Sequence, residues 1–312
     1  MSASSESRGP EDAVPAYYPG CSLDGLGRAY EVSCQIVLKK LGLSLDRIVD
    51  YNCCGATEVK NLSHDVSVAL PARNLALARH MGRHEVVAAC NGCVYSLSRA
   101  NDAVRDEGTR SRINSYLGAG GSPTYDGGAS VQHVLEFLHH RAGPSRIRQA
   151  TRRPLAGLKV APYYGCLYSR PKRYTGVGRI PGTDDPEHPH FLDELLAAAG
   201  AEVVADYPAK TICCGGGHAL SDLEVSVAFS ASVLHEARRA GANIVATICP
   251  LGQINIENNL DRIRQAYGET VLLPVAYFTQ LLAVALGATV REARLKDNFS
   301  RPDLFLRNRG FP

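Results

Sequence analysis

Long runs of lysine and arginine are missing from this chain, and its net charge is only +3. That leaves no electrostatic footprint for a nucleic-acid groove. The first fifteen residues are polar and lack the apolar core of a secretory signal. Neither Gly-Lys-Ser nor Gly-Lys-Thr follows the Gly215-Gly216-Gly217 run, and no dinucleotide fingerprint opens a strand–helix unit, so no nucleotide site is assigned. The Cys-x2-Cys-x2-Cys-x3-Cys-Pro run of bacterial ferredoxins is absent too. A membrane span is also missing. The apolar stretch Leu272 to Val290 contains Pro274, Thr279, Gln280 and Gly287, and its apolar residues follow a helical stripe. It reads as a buried or partner-facing helix, not a span.

What is present describes a soluble globular protein: 45% hydrophobic and 21% charged residues. The 312 residues have room for one large domain or two ordinary ones. Ten cysteines stand out. Two adjacent pairs, Cys53-Cys54 and Cys213-Cys214, argue against ordinary disulfides, because neighbouring residues rarely bridge within normal geometry. Free thiols point to a reducing compartment, the cytoplasm, and to metal ligation.

The chain repeats itself. Residues 66–70 read VSVAL and residues 225–229 read VSVAF; the same offset carries Cys90 onto Cys249. Tyr17-Tyr18-Pro19-Gly20-Cys21 resembles Tyr163-Tyr164-Gly165-Cys166, and Cys53-Cys54-Gly55 matches Cys213-Cys214-Gly215. The organisation expected is a flexible N-terminus (1–15), a first half (16–143), a linker (144–154), a second half (155–290) and a C-terminal tail (291–312). Runs 85–89, 158–164 and 243–248 are strand-like and each leads to a cysteine. Helices are predicted over 64–80, capped by Ser63 and kinked or broken at Pro71, over 191–199, and over 222–240, capped by Ser221. Alternating strands and helices predict an α/β fold of two pseudo-symmetric halves. Each has a small parallel sheet flanked by helices, with the cysteines in loops at the carboxyl ends of strands.

The first half offers Cys21, Cys53, Cys54, Cys90 and Cys93; the second offers Cys166, Cys213, Cys214 and Cys249. Thiolates are soft ligands suited to iron–sulfur clusters and to zinc. Five thiolates are one more than tetrahedral zinc or an ordinary cubane cluster uses. The surplus suggests an irregular cluster with an iron able to take a substrate sulfur. Gly55 and Gly215 let the backbone approach closely at the adjacent pairs. Zinc remains an alternative on these residues alone.

These blocks resemble the paired CCG domains of the heterodisulfide reductase B-type subunits, over nearly the whole chain after residue 15. The likeness extends to Gly165-Cys166 with Arg170-Pro171, Asp184-Asp185-Pro186-Glu187, Cys249-Pro250-Leu251 and Tyr277-Phe278-Thr279-Gln280-Leu281-Leu282. It implies a noncubane [4Fe–4S] cluster on Cys21, Cys53, Cys54, Cys90 and Cys93, and a second cluster on Cys166, Cys213, Cys214 and Cys249. Gly252 stands where the family's full second motif has a cysteine, so the type of the second cluster stays open. The resemblance further implies an oxidoreductase acting on sulfur groups, fed by a ferredoxin-like iron–sulfur subunit and a flavoprotein subunit, with a thiol, disulfide or sulfur-carrying substrate. A non-catalytic electron-transfer subunit is the alternative.

Other residues read more plainly. Tyr30, Cys34, Val37 and Leu41 share a helix face, which makes Cys34 a core thiol. His218 follows the second Cys-Cys-Gly. It is either a proton donor to a leaving thiolate or a histidine that holds its loop. Arg170, Lys172, Arg173 and Lys210 either offset cluster charge and steer an acidic thiol, or form a solvated face.

Overall fold

The computed structural model describes residues 14–56, 59–177 and 182–312. The flexible segment expected over 1–15 therefore falls almost wholly outside the described residues. Two four-stranded sheets form, and every strand pair is parallel. The first contains β1 (Ala16–Tyr18), β2 (Asp46–Arg47), β3 (Glu85–Ala88) and β4 (Ser130–His133), in the order β2-β1-β3-β4. The second contains β5 (Lys159–Tyr163), β6 (Glu202–Val203), β7 (Ile244–Thr247) and β8 (Val275–Tyr277), in the order β6-β5-β7-β8. The two orders are the same, so the repeat seen in the sequence is a repeat of topology. Helices cross between the strands, as parallel pairing requires.

Most predicted elements are present, and the differences have physical causes. The helix His64–His80 continues unbroken past Pro71. Proline removes the amide that Ser67 O would accept. Arg99 Nη2 donates to that carbonyl at 2.8 Å instead, so no backbone acceptor is orphaned. Ser63 caps this helix through Val66 N at 3.3 Å. The cap of the helix Leu223–Arg239 is Asp222, not Ser221, because the carboxylate accepts from Val225 N. The stretch 272–290 is not one helix: it contains β8 and the helix Phe278–Ala285. Among the described residues, no helix is long and apolar enough to cross a membrane. Residues 143–150, inside or beside the expected linker, form a helix started by Pro144. In the 291–312 segment Leu295, Leu306 and Phe311 are buried.

The halves share a core. Tyr30 of the first stacks on Tyr277 of the second with ring centroids 4.5 Å apart, and its hydroxyl donates to Ile248 O at 2.9 Å. The Ser33 and Thr279 hydroxyls meet at 2.6 Å. Cys34 is fully buried in this same cluster, which agrees with its reading as a core thiol.

The helix Val134–Arg141 opens with a reciprocal cap: Leu135 N donates to His133 Nδ1 at 3.1 Å, and His133 N donates to Glu136 Oε2 at 2.9 Å. Burial pushes the Glu136 carboxyl up to about 7. A carboxyl kept neutral by the fold favours folding below its unfolded value and loses that advantage as pH climbs through about 7. Glu136→Gln keeps an acceptor for the cap and removes the charge. Its denaturation midpoint should match wild type at pH 4.5 and exceed it at pH 8, by about 3 kcal/mol in free energy. Equal pH profiles would contradict this.

Candidate metal centre

Each cysteine block is delivered by the same device. Gly20 and Gly165 precede Cys21 and Cys166 with nearly identical backbones, φ 73° ψ 171° and φ 72° ψ 168°. Only glycine adopts this conformation readily. At Gly20 a Cβ would also sit 3.0 Å from Cys93 Sγ. Three residues before each of these cysteines a tyrosine reaches the other loop. Tyr18 donates to Asn52 O at 2.8 Å, just ahead of Cys53-Cys54, and Tyr163 donates to Ile212 O at 2.9 Å, just ahead of Cys213-Cys214. Cys90 and Cys249 then leave the ends of β3 and β7 and act as N-cap residues of the next helices, Asn91–Ala103 and Pro250–Asn258.

The thiols meet in sequence. Cys21 and Cys53 sulfurs lie 3.6 Å apart, and Cys54 and Cys93 sulfurs lie 3.4 Å apart. Cys53 also influences its neighbour Cys54, and Cys93 influences Cys90. Cys90 in turn lies beside Cys249 of the other half, so contact passes across the pseudo-symmetry. In the second half Cys166 meets Cys213, which meets Cys214, and Cys214 acts on Cys249 electrostatically. The nine cysteines singled out from the sequence are thus brought to one region, and all are free thiols. A disulfide would need about 2.05 Å between sulfurs. Two thiolates on a metal, with M–S about 2.3 Å and tetrahedral angles, sit about 3.8 Å apart, close to what is seen. Among the described residues, no three His, Cys, Asp or Glu groups converge on the point a single ion would need.

The electrostatics follow the contacts. Cys53 is pushed down, first by donation from Cys21 and then from Cys54, with Gly55 N also donating to its sulfur at 3.4 Å. Cys213 is pushed down in the same way by Cys166 and Cys214, with Gly215 N at 3.3 Å. Their donors Cys21 and Cys166 are pushed up. Cys54, Cys90, Cys93 and Cys249 are buried, whereas Cys21 and Cys53 face solvent.

Gly215 is held tightly. Its φ is +84°, and a Cβ there would meet Ser226 O at 2.8 Å and Ser226 Cα at 2.9 Å, both backbone atoms. Gly215→Ala should cost about 2 to 5 kcal/mol from the left-handed backbone plus overpacking. Gly217→Ala, with nothing within 4 Å, should be nearly neutral in the same thermal melt. Similar melts for the two would show that this turn is not constrained.

A cleft of about 290 Å³ opens where the halves meet. Cys166, Cys213, Cys214 and Cys249 line it together with Gly252, Leu167, Leu251 and Tyr163, while Asn61 and Asn91 come from the first half. A Cβ at Gly252 would lie 4.0 Å from Cys214 Cβ and 3.9 Å from Cys249 Cβ. Where Cys93 touches Cys54 in the first half, the second half therefore leaves space.

The cysteine-rich (CCG) domain family matches residues 15–98 and 160–257. The B subunit of a ferredoxin/F420H2-dependent CoB-CoM heterodisulfide reductase from Methanosarcina acetivorans is 32% identical over 91% of this chain and 90% of its own length. The chain belongs to the family of heterodisulfide reductase B-type subunits. The B subunit of the ferredoxin:CoB-CoM heterodisulfide reductase of Methanosarcina mazei is 30% identical over 91% of this chain and 90% of that protein. So is an 8-methylmenaquinol:fumarate reductase membrane anchor subunit of Wolinella succinogenes, 30% identical over 91% of this chain and 95% of that protein. Among solved structures, a hypothetical protein from Helicobacter pylori shares the fold, with a TM-score of 0.69 and 13% identity, over 92% of this chain and 52% of that one.

Other predicted groups of this family member sit away from the thiols or are already engaged. His218 is exposed on the rim, near enough to Cys213 to favour its thiolate, and its ring lies parallel to Phe229 with centroids 6.2 Å apart. Arg170 and Lys172 pair with Glu187, Arg173 with Asp102 and Lys210 with Asp193. Arg170, Lys172 and Arg173 thus form the solvated face that was one of the two expectations, while Lys210 is largely buried. Three positioning groups were not evident from the sequence: Tyr18 and Tyr163, readable from their shared place three residues before a cysteine, and Asn91, whose Nδ2 donates across the halves to Tyr164 O at 2.7 Å.

Proposed function

We propose that this chain is the iron–sulfur subunit of a heterodisulfide reductase-like complex, carrying out disulfide or sulfur-substrate redox chemistry at the cysteine-lined cleft. The continuous chain of thiol contacts ending at that cleft carries the reading. The donor set is all thiolate and the glycines leave room beside the sulfurs, which suits iron–sulfur ligation. Cys21, Cys53, Cys54, Cys90 and Cys93 would hold a noncubane [4Fe–4S] cluster; Cys166, Cys213, Cys214 and Cys249 would hold a second cluster. Bound clusters supply one-electron transfer and an iron able to bind sulfur.

The protein's own part is placement. Leu167, Leu251 and Tyr163 give the cleft apolar walls that take a thioether or alkyl chain, and Asn61 offers a polar contact at its edge. Gly252 leaves the space in which a substrate sulfur approaches Cys214 and Cys249. The overall change is RSSR′ + 2 e⁻ + 2 H⁺ → RSH + R′SH, and His218 would be the proton donor to a departing thiolate. Electrons come from a ferredoxin-like iron–sulfur subunit and a flavoprotein subunit, for which exposed Cys21 and Cys53 mark the entry face.

The alternative, electron transfer without substrate contact, draws on the similarity to the fumarate reductase anchor subunit. Rapid mixing of anaerobically reduced protein with small organic disulfides separates the two. Reoxidation with release of paired thiols supports the reductase reading. Reoxidation by one-electron acceptors but not by disulfides supports the carrier.

A further inference from the structure

Behind Cys214 lies a polar network that the ligation scheme does not use. Ser226 and Ser230 belong to the helix Leu223–Arg239, Asn255 belongs to the helix Pro250–Asn258, and Asn259 follows it. All four residues are buried, at 0%, 0%, 6% and 3% exposure. Asn255 Nδ2 donates to the Cys214 carbonyl at 2.7 Å, and Ser230 Oγ donates to the same oxygen at 3.0 Å. Ser226 Oγ donates to Asn255 Oδ1 at 3.2 Å, which sets the orientation of the amide. Asn259 Nδ2 donates to the Ser226 and Ser230 oxygens at 3.3 and 3.2 Å, so it acts on Cys214 only through them. The hydrogen bonds all run one way, towards Cys214 O.

The first half lacks the residues for this network. At the offset that carries Cys90 onto Cys249, Ser230, Asn255 and Asn259 fall on Pro71, Ser96 and Ala100, and proline and alanine have no side-chain donor. There Cys54 is met from the front by Cys93, sulfur to sulfur at 3.4 Å. Cys214 meets Gly252 at that place, and Asn255 stands one turn further along the same helix. A buried polar network is stabilising only when its members are satisfied, and this one spends its donors on a single carbonyl. We infer that Asn255 is a positioning residue: with Ser230 it fixes the Cys214 peptide from behind, and so aims a sulfur that no fifth thiol faces. Gly216 N completes the hold by donating to that sulfur at 3.3 Å. The inference rests on the proposed iron–sulfur ligation, in which Cys214 is a ligand.

Two variants borrow the first half's own residues. Asn255→Ser lacks the reach to Cys214 O, whereas Asn259→Ala leaves both bonds to that oxygen in place. Each deletes one buried amide, and both should lower the melting temperature by about 2–4 °C. Protein purified without oxygen, its iron and sulfide counted, is then challenged with a chelator. Freed thiols are alkylated over time and located by peptide mass spectrometry, which reads the two sites separately. In Asn255→Ser the second-site thiols should be freed about tenfold faster than in wild type, with the first site unchanged. Asn259→Ala should stay within about twofold of wild type at both sites. Ser230→Ala deletes one oxygen and the other bond to Cys214, and should free the second site about threefold faster. Unchanged release in Asn255→Ser would overturn the inference, and so would unchanged release in Ser230→Ala should Asn255→Ser not fold. Equal acceleration in Asn259→Ala, or at both sites, would also overturn it, since loosened packing alone would then explain the effect. A wild-type protein without iron and sulfide would defeat the ligation reading, and this inference with it.

Discussion

Cys93→Ala is expected to lower iron and sulfide content by about half, with the loss confined to the first site. Cys93 is buried at 5% exposure, its sulfur lies 3.4 Å from Cys54, and it links that thiol to Cys90. Removing it interrupts the contact chain at its centre. The fold should survive, because a buried Cys-to-Ala change removes one atom and leaves two large cores intact, at a cost of about 1–2 kcal/mol. The readout is therefore metal content and EPR against an unchanged circular dichroism spectrum. Unaltered iron and spectra would mean that Cys93 holds nothing. A Cys34→Ala control, buried in the shared core outside the run of thiols, should leave the metal content alone.

Gly252→Cys is expected to work in the opposite direction. The added Cβ meets Tyr163 at 3.5 Å, Cys249 Cβ at 3.9 Å and Cys214 Cβ at 4.0 Å, all ordinary contacts. Gly252 lies in the helix Pro250–Asn258, where replacing glycine favours the helix by a few tenths of a kcal/mol. A fifth thiolate would then face Cys214 as Cys93 faces Cys54. The EPR signature of the second site should converge on that of the first. Because the new sulfur occupies the cleft, disulfide-driven reoxidation should slow by about tenfold or more if substrate enters there. Convergent spectra with undiminished reoxidation would move the substrate away from Gly252. Unchanged spectra would show that this position does not face the metal.

The duplication was legible because it is carried by local words: Cys-Cys-Gly, the shared VSVA, and the tyrosine and glycine before Cys21 and Cys166. Strand ends at Cys90 and Cys249 were legible for the same reason. The contact between Cys90 and Cys249 was not, since their half-by-half pattern assigns them to different sites and only tertiary packing brings them together. That the helix would pass Pro71 unbroken was not legible, because a proline's cost depends on whether another donor reaches the freed carbonyl, and Arg99 lies a full helix away in sequence. The partners of the basic residues near Cys166 were not legible, because Glu187, Asp102 and Asp193 reach them only through tertiary packing. Burial of the last segment against the shared core had no strong periodic signal.

Counting iron, zinc and acid-labile sulfide in protein purified without oxygen addresses the thiol assembly directly. Iron and sulfide in matching amounts, enough for at least one complete cluster per chain, is the predicted result. Zinc at the cysteines, or iron without sulfide, would contradict it.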